Sequence, residues 1–383
     1  MRNRLIIAGG GIGGVAAALA AHRSGIEVRV FERAPVFSEV GAGMSLWPNA
    51  TRILQSWGVL EPLLSLGEPV TQFNLHSPDG RRISAIPMAG FSTPALCVHR
   101  ADLHRVLRGP LPAGCLESNQ RLLGFTQDSE GVSARFVGGI LASADGLVGA
   151  DGLVGADGIR SVVRSQMHGT DEPVYRGYCI WRGIAPDTGE IPRGHLSETW
   201  GSGRRFGIMP IGQGRICWYA THNRPPSQAD APELRKTEVQ ALFRGWHDPI
   251  STLVEDTHPN DIIRTDARDR RPLRHWGSGR VTLLGDAAHP MTPNVGQGAC
   301  MAIEDAAVLA ACIVGSSDVA SAFRSYQARR RPRTASITRQ ARRIGIIGQW
   351  ENPWILKGRN LVTRLVLSCS PEMRRNPMYA HQV

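Results

Sequence analysis

Several residue types and patterns are scarce in this 383-residue chain. Aromatic residues make up 6% of it, and lysine occurs only at Lys236 and Lys357. The 7 cysteines are an odd number without a C-x-x-C pair, so neither a disulfide framework nor a zinc site is predicted. No stretch approaches the roughly 20 apolar residues of a membrane-spanning helix. These absences favour a metal-free protein of the reducing cytoplasm.

Acidic residues are outnumbered by basic ones. The chain has 33 Asp and Glu against 44 Lys and Arg, which gives a net charge of +11. The arginines are scattered and the one dense run, 329–331, falls in a predicted helix, so nucleic-acid binding is not expected. An anionic cofactor or cosubstrate accounts for the charge. The 42% hydrophobic content and 43 glycines are typical of a soluble α/β protein, with two domains or one large one at this length.

The first motif is a glycine-rich turn near the N-terminus. An apolar run precedes glycines in the spacing G-x-G-x-x-G, and a small-residue helix and a second strand follow; the glycines are Gly9, Gly11, Gly13 and Gly14. Glu32 ends the second strand roughly 20 residues beyond them, where an acid accepts a hydrogen bond from a ribose hydroxyl. Glycines also let the backbone and a helix N-terminus approach a pyrophosphate. The pattern predicts adenine-dinucleotide binding; the alternative is a structural turn followed by a surface glutamate.

A second motif occurs three times, and a third follows later in the chain. Residues 144–161 read ADGLVGADGLVGADGIRS, which places Asp-Gly pairs at Asp145, Asp151 and Asp157. Near residue 280 a buried-strand run ends in Gly285-Asp286 and continues through a turn into a glycine-rich helix start.

These three motifs, in this order, resemble those of the FAD-dependent aromatic hydroxylases and epoxidases, the single-component flavoprotein monooxygenases of the p-hydroxybenzoate hydroxylase fold. The resemblance covers about residues 4–345. The segment NVGQGACMAIEDAAVLA at 294–310 is most similar to the branch that contains urate, salicylate and hydroxybenzoate hydroxylases and zeaxanthin epoxidases.

The resemblance implies both a fold and a reaction. The expected fold is α/β, with a Rossmann-type FAD-binding domain, an inserted β-sheet domain for the substrate, and C-terminal helices. The expected reaction uses NADH or NADPH to reduce FAD, and a flavin hydroperoxide then passes one oxygen atom of O₂ to an aromatic or heteroaromatic small molecule.

The resemblance also selects among the repeated aspartates. Only Asp157 is followed by the Ile-Arg-Ser-x-Val-Arg of the family pattern, so Asp157 is the expected working residue, near both FAD and the nicotinamide cofactor. Asp145 and Asp151 then belong to a tandem duplication. Its six extra residues either form a loop or shift the strand by an even number of residues, which keeps each side chain on the same face. The alternative is that all three pairs are turns in a loop.

Further residues match family positions that contact FAD. Asp286 is expected to accept a hydrogen bond from a ribityl hydroxyl, and Pro293 to lie beside the flavin ring. The other expected contacts come from the side chains of Arg33, Ser45 and Arg100, and from the backbone of Leu122, Gly296, Gln297 and Gly298. The helix that begins there would direct its positive end at the reduced, anionic ring.

The family pattern divides the chain into three parts. We expect an FAD-binding domain at 1–66, 98–171 and 271–345, a substrate domain at 67–97 and 172–270, and a C-terminal helical tail at 346–383. Candidate pocket residues in the substrate domain are Arg205, Tyr219 and His222, with Trp181, Met209 and Trp218 as further ones. Alternation places Trp218 and Tyr219 on opposite faces of a strand, and aromatic packing is the alternative for each. The sequence identifies no catalytic base.

Other functions remain open at this stage. An epoxidase and a non-catalytic flavin-binding protein fit the same motifs. A flavin halogenase is disfavoured because no lysine precedes Lys236 and no W-x-W-x-I-P segment is present. The segment NLVTRLVLS at 360–368 would fit a membrane surface, but we expect it to pack, so membrane association is not expected. A monomer and a homodimer both remain open.

Overall fold

The structure, a computed structural model, describes residues 4–37, 42–137, 147–226, 231–368 and 376–383. The strands are β1 Arg4–Ala8, β2 Glu27–Phe31, β3 Gly43–Leu46, β4 Glu68–Val70, β5 Gln72–His76, β6 Arg82–Pro87, β7 Ala95–His99, β8 Leu116–Glu117, β9 Arg121–Gln127, β10 Val132–Val137, β11 Leu147–Ala150, β12 Gly152–Gly155, β13 Val174–Pro186, β14 His195–Trp200, β15 Arg204–Pro210, β16 Arg215–Asn223, β17 Ile263–Asp269, β18 Gly277–Ser278 and β19 Val281–Leu283. The helices are α1 Ile12–Arg23, α2 Pro48–Ser56, α3 Leu60–Leu64, α4 Arg100–Arg108, α5 Val162–His168, α6 Pro232–Leu242, α7 Ile250–Glu255, α8 Gly298–Val314, α9 Val319–Gly348, α10 Pro353–Ser368 and α11 Pro377–Ala380.

A parallel sheet organises the first layer. Its order among the described strands is β18-β19-β12-β1-β2-β8, and only β18 runs antiparallel to its neighbour. The strands are apolar runs because both faces are covered. Helix α1 packs against α8, and Phe31 of β2 stacks on Phe136 of the small β9-β10-β11 sheet with ring centroids 4.3 Å apart. The expected α/β, Rossmann-type fold is confirmed.

A second layer is formed by the sheet β17-β13-β16-β15-β14-β5-β6. Side chains alternate between its two faces. One face carries an apolar cluster that includes Trp181, Phe206 and Trp218 and packs against α6 and α7 through Val239 and Leu253. The opposite, inner face carries the polar groups described below.

The two larger sheets take their strands from different parts of the chain, whereas the sheet β3-β7-β4 joins strands from both. All described strands of the seven-stranded sheet lie within 67–97 or 172–270, and those of the parallel sheet lie within 1–66, 98–171 or 271–345. The domain boundaries themselves stay a prediction. Helix α9 continues to Gly348, so the predicted boundary between 345 and 346 falls inside a helix.

The repeated Asp-Gly segment contributes to two different sheets. The Leu-Val-Gly-Ala of the first copy forms β11, antiparallel to β10, whereas the Leu-Val-Gly of the second lies in β12, parallel to β1. Asp151 lies between them at the amino end of β12, where its Oδ2 accepts a hydrogen bond from the Arg4 amide at 2.7 Å. Asp157 follows the carboxyl end of the same strand. Asp145 lies outside the described residues.

We predict that deletion of residues 146–151 leaves folding, FAD content and reduction by NAD(P)H intact. The shortened chain reads ADGLVGADGIRS, so Asp145 would take the place of Asp151 and β12 would keep its register. The deletion removes β11, and the residues before 146 would replace it beside β10 with the same alternation, because an even number of residues is removed. Thermal unfolding, flavin absorbance and rapid-mixing reduction check this. The control is deletion of 147–151, which reverses the alternation and should give unstable, colourless protein. Equal damage by both deletions would show that the register assigned here is wrong.

Candidate FAD site and substrate cleft

The three motifs meet at the carboxyl edge of the parallel sheet. Strands β1, β2, β12 and β19 run in the same direction, so the segments that follow them lie side by side: the turn after Gly9, Glu32, Asp157 and Asp286. Ligands of open α/β sheets bind in the crevice at this edge. The topology therefore converts three motifs distant in sequence into one site.

The first turn requires its glycines for steric reasons. Gly9 has a φ of +107°, and a Cβ there would lie 2.4 Å from the Ala156 carbonyl oxygen; a Cβ at Gly14 would lie 1.9 Å from the carbonyl oxygen of Gly9. Gly13 faces Leu284 and Ala302, which allows α1 to pack closely on α8. Gly11, by contrast, faces open space at the uncapped N-terminus of α1, whose first turn contains no acid. That opening fits an anionic pyrophosphate.

Glu32 holds the same turn in place. Its Oε2 accepts a hydrogen bond from the Gly10 amide at 2.7 Å, and its Oε1 accepts one from the Ala34 amide at 2.8 Å. A carboxylate has about four acceptor positions, so two remain for ribose hydroxyls. His104, which the sequence analysis missed, contacts the Gly10 carbonyl oxygen through Nε2 at 2.6 Å.

Two other predicted contacts lie near this end of the sheet. Arg33 follows Glu32 directly and is exposed. The Gln120 amide donates to the Glu32 carbonyl oxygen at 2.8 Å, which brings the chain before Leu122 alongside the turn; the Leu122 side chain itself is buried. FAD contacts at Glu32, Arg33 and Leu122 stay predictions.

Asp157 shapes the start of helix α5. Its Oδ2 accepts a hydrogen bond from the Val162 amide at 2.7 Å, and Ser161 caps the helix through the Arg164 amide. Burial raises the pKa of Asp157, and hydrogen bonds from Ser161 and Val162 oppose the shift. The side chain therefore fixes a turn, which is consistent with the third copy of the repeat being the working one.

Asp286 lies on the floor of an open cleft. The residue is exposed to solvent, yet enough protein surrounds the carboxylate that desolvation raises its pKa, against the opposing charges of His289 and Arg100. Arg100, at the start of α4, thus lies within electrostatic reach of Asp286. This arrangement offers an acceptor for a ribityl hydroxyl and a cation for a phosphate.

The helix that follows the third motif also begins at open space. Gly298 starts α8, no side chain caps it, and its first turn contains no acid. Gly296 has a φ of +61°, and a Cβ there would lie 2.5 Å from Ser45 Oγ and 2.8 Å from Trp47 Nε1. The Gln297 side chain turns inward to Asn49, so any flavin contact of Gln297 is through its backbone. Exposed Pro293 lies in the turn between Asp286 and the helix.

A buried ionic cluster, which the sequence analysis missed, supports both of these segments. It consists of Glu304, Asp305, Arg330 and Arg333, with His289 at its edge. Asp305 Oδ2 accepts hydrogen bonds from the Gly285 amide at 3.1 Å and from His289 Nε2 at 2.5 Å, and Glu304 binds Asn49 Nδ2 at 2.7 Å. Burial opposes ionisation, but His289 and Arg330 outweigh it and lower the pKa of Asp305 to about 2.

The inner face of the seven-stranded sheet closes the cleft from the other side. Tyr219 lies over Gly207 and hydrogen-bonds to Glu198, and burial raises its pKa well above the ordinary value. Arg205 is on the same face but only 2% exposed, and its three nitrogens donate to Glu198, Gln349 and Asn294. Arg205 therefore braces the wall from behind and does not present a nitrogen to the substrate.

Three pocket predictions are wrong, because alternation puts those side chains on the outer face. Trp181 and Trp218 belong to the cluster that packs on α6 and α7. His222 is four residues from Trp218 on β16, and its surroundings include Arg204, Arg224 and Glu238 of α6. Met209 is buried in the main core. Trp218 and Tyr219 face opposite sides, as alternation predicts.

Two inner-face residues were missed by the sequence analysis. Tyr178 and Arg182 lie on β13, on the face opposite Trp181. Arg182 Nη1 donates to Thr265 Oγ1, a neutral acceptor, at 2.9 Å. Burial lowers the pKa of Arg182, Cys217 and Tyr178 oppose the shift, and the charge of Arg100 adds to it, so the Arg100 guanidinium lies within electrostatic reach of Arg182. Tyr178 and Arg182 are an even number of residues apart, so strand alternation alone could have placed them on one face.

Comparison with known proteins identifies the family. The model of an FAD binding domain family matches residues 2–341. The chain belongs to this FAD-binding family. It is 40% identical over 374 residues to aurachin C monooxygenase/isomerase of Stigmatella aurantiaca, across 95% of this chain and 94% of that protein. It is 32% identical to 6-hydroxynicotinate 3-monooxygenase of Bordetella bronchiseptica over 372 residues, 93% of each chain.

Solved structures agree with this FAD monooxygenase assignment. Klebsiella pneumoniae HpxO in complex with FAD and uric acid superposes with a TM-score of 0.88 at 26% identity, over 99% of this chain and 95% of that one. FAD as cofactor, the monooxygenase class and the relation to aromatic hydroxylases are thereby confirmed. The open turn at Gly11, the cleft at Asp286 and the open N-terminus of α8 fit FAD from its pyrophosphate to its ring.

We expect Asp286→Ala to bind FAD at least about tenfold more weakly, because it removes a charge-assisted hydrogen bond that contributes about 1.5–3 kcal/mol. Flavin released on dialysis and fluorescence titration of the apoprotein measure this. Asp187→Ala, in an exposed loop of the second sheet, is the control and should bind normally. Full retention of FAD by Asp286→Ala would remove Asp286 from the site.

We expect Arg330→Ala to lose about 3–5 kcal/mol of unfolding free energy, because it leaves two buried carboxylates short of a counter-charge. Urea titration of the FAD-loaded protein measures the loss. The neighbouring Arg329 is exposed on the same helix, so Arg329→Ala should change the unfolding free energy by less than about 0.5 kcal/mol. Similar values for the two variants would contradict the role given to the cluster.

Proposed function

We propose that this FAD monooxygenase hydroxylates a heteroaromatic ring that carries an ionisable oxygen, in the cleft between the parallel sheet and the inner face of the second sheet. The observation that supports this is the position of Arg182 on the inner face, opposite Tyr219 across the strand pair, with the Arg100 guanidinium within electrostatic reach of it. The names of the relatives are consistent with it, since one acts on 6-hydroxynicotinate and another is a urate hydroxylase.

The cationic side of the cleft bears on the reaction itself. A ring hydroxyl that loses its proton makes the ring richer in electrons, and a guanidinium stabilises the resulting oxyanion by charge-assisted hydrogen bonds. FAD, when bound, would supply the redox chemistry: it accepts electrons from NAD(P)H and activates O₂. The protein supplies orientation and electrostatics: Arg182 binds the oxyanion, Tyr219 stays protonated against Glu198, and the α8 N-terminus stabilises negative charge on the flavin ring.

We further assign the entry of the nicotinamide cofactor to a cavity beside the second motif in which cations outnumber acids. The cavity has a volume of about 590 Å³ and is lined by Arg164, Arg270, Arg271 and Arg274 together with Asp171 and Glu172. Asp171 pairs with Arg164 and Arg270, which leaves Arg271 and Arg274 to meet a phosphate. Arg270 Nε donates to the Ile159 carbonyl oxygen at 3.0 Å, so the cavity adjoins the turn that Asp157 fixes. Phosphates of NADH or NADPH match this charge.

The test combines product analysis with a variant of the cleft. Purified protein should oxidise NAD(P)H faster with one of aurachin C, 6-hydroxynicotinate or urate than with 3-hydroxybenzoate, whose ring is carbocyclic, and mass spectrometry should find one added oxygen. Arg182→Gln should lower kcat/KM for that compound by about ten- to a hundredfold, through loss of about 1.5–3 kcal/mol. Its FAD content should stay normal.

Arg193→Gln is the control, because Arg193 belongs to the second layer but its side chain is 90% exposed. Its kcat/KM should match the unaltered protein. If Arg182→Gln turns over the substrate normally, or if a ring without an ionisable oxygen is preferred, the proposed substrate class is wrong. If no ring compound speeds NAD(P)H oxidation, the proposed oxygenation of such rings is wrong.

A further inference from the structure

Helix α10 presents an apolar face to solvent. Its exposed apolar side chains are Trp354 (78%), Ile355 (48%), Leu361 (59%), Val362 (58%), Leu365 (56%) and Val366 (55%). At about 100° per residue they occupy an arc of about 140° on one side of the helix. The sequence analysis expected residues 360–368 to pack; for Leu361, Val362, Leu365 and Val366 that expectation is wrong.

Helix α10 is anchored at the edge of the arc next to Val366, about 140–160° around the helix from Trp354 and Leu361. Arg359 is 5% exposed, lies over the Trp200 ring at 5.1 Å, and donates to the carbonyl oxygens of Ile347 and Gly348 at 3.4 Å. The helix also packs against β6. The outward direction of Trp354 and Leu361 thus follows from contacts on the inner side.

The charged side chains of α10 itself are all positive. Lys357 and Arg364 are exposed and lie along one border of the arc, and residues 353–368 contain no Asp or Glu. The Lys357 ammonium lies 5.0 Å from the centre of the Trp354 ring. An apolar arc with a tryptophan and bordering cations is the pattern of helices that lie in a membrane interface.

We propose that α10 seats this protein on the surface of an anionic lipid bilayer. A symmetric contact between two copies through this face would bring the cations of both helices together, in a chain whose net charge is already +11. Anionic headgroups supply the opposite charge instead. No helix in the described part of the chain is long and apolar enough to cross a membrane, so the helix lies on the bilayer.

This position relates the membrane surface to the cleft. Arg359 on the inner side of α10 lies within electrostatic reach of Arg205 and Glu198, the pair that braces the cleft wall. One side of the helix therefore faces lipid while the other supports that wall. Membrane binding does not require the oxygenation chemistry, so the two proposals fail independently.

The experiment uses full-length, FAD-loaded protein and flotation with vesicles of phosphatidylcholine alone or mixed with phosphatidylglycerol. We expect binding to the mixed vesicles and at least about tenfold less to phosphatidylcholine alone. The double variant Leu361→Glu with Leu365→Glu should reduce binding to mixed vesicles by at least about tenfold. Its flavin absorbance should be unchanged, which shows that the fold is intact.

The matched control carries Leu234→Glu and Val314→Glu, two side chains that are each 63% exposed on other helices. It should bind mixed vesicles like the unaltered protein. A second variant, Lys357→Glu with Arg364→Glu, should lose the preference for anionic lipid. Absence of binding to mixed vesicles, or equal binding by the Leu361/Leu365 variant, would overturn the proposal. A third outcome would also overturn it: light scattering shows that the unaltered protein is a dimer, the Leu361/Leu365 variant is a monomer, and neither binds vesicles. Helix α10 would then be a subunit interface.

Discussion

The candidate site depends on the buried ionic cluster between α8 and α9. Asp305 accepts the Gly285 amide and His289, Glu304 holds Asn49, and Asn49 holds Gln297. Arg330, itself 1% exposed, binds both carboxylates. Because a buried carboxylate is costly without its counter-charge, the two helices cannot separate or slide without losing several kcal/mol. The cluster thereby fixes where the Asp286 turn and the α8 N-terminus lie.

With these positions fixed by groups behind the site, the N-termini of α1 and α8 are left free of competing acids. Neither α1 nor α8 has an acidic residue in its first turn, and no side chain caps either helix. An acid there would bind the helix N-terminus and repel a pyrophosphate or a reduced flavin. The acidic groups that the sequence places near the site, Glu32 and Asp157, instead bind backbone amides of turns.

The sequence predicted the parts of the site that depend on local rules and missed those that depend on packing between distant elements. Glycine spacing and strand ends are local, so the turn at Gly9 and the position of Asp286 could be anticipated. The partnership of Arg330 with Asp305 joins residues from two helices, and an arginine within a run of three has no local signal of burial. His222 was misassigned although the rule that separates Trp218 from Tyr219 also places His222 on the outer face.

The repeated Asp-Gly segment shows why position on a strand decides function more than residue type. Asp151 and Asp157 have the same neighbours in sequence, but they lie at the two ends of β12. At the amino end, Asp151 binds the backbone of Arg4, on the side of the sheet edge away from the motifs. At the carboxyl end, Asp157 adjoins the turns of Gly9 and Asp286, where aligned strands leave a crevice. A duplicated motif can take over the function of the original only if its strand ends at the same edge of the same sheet. The first copy fails this condition, because its strand β11 pairs with β10 in a different sheet.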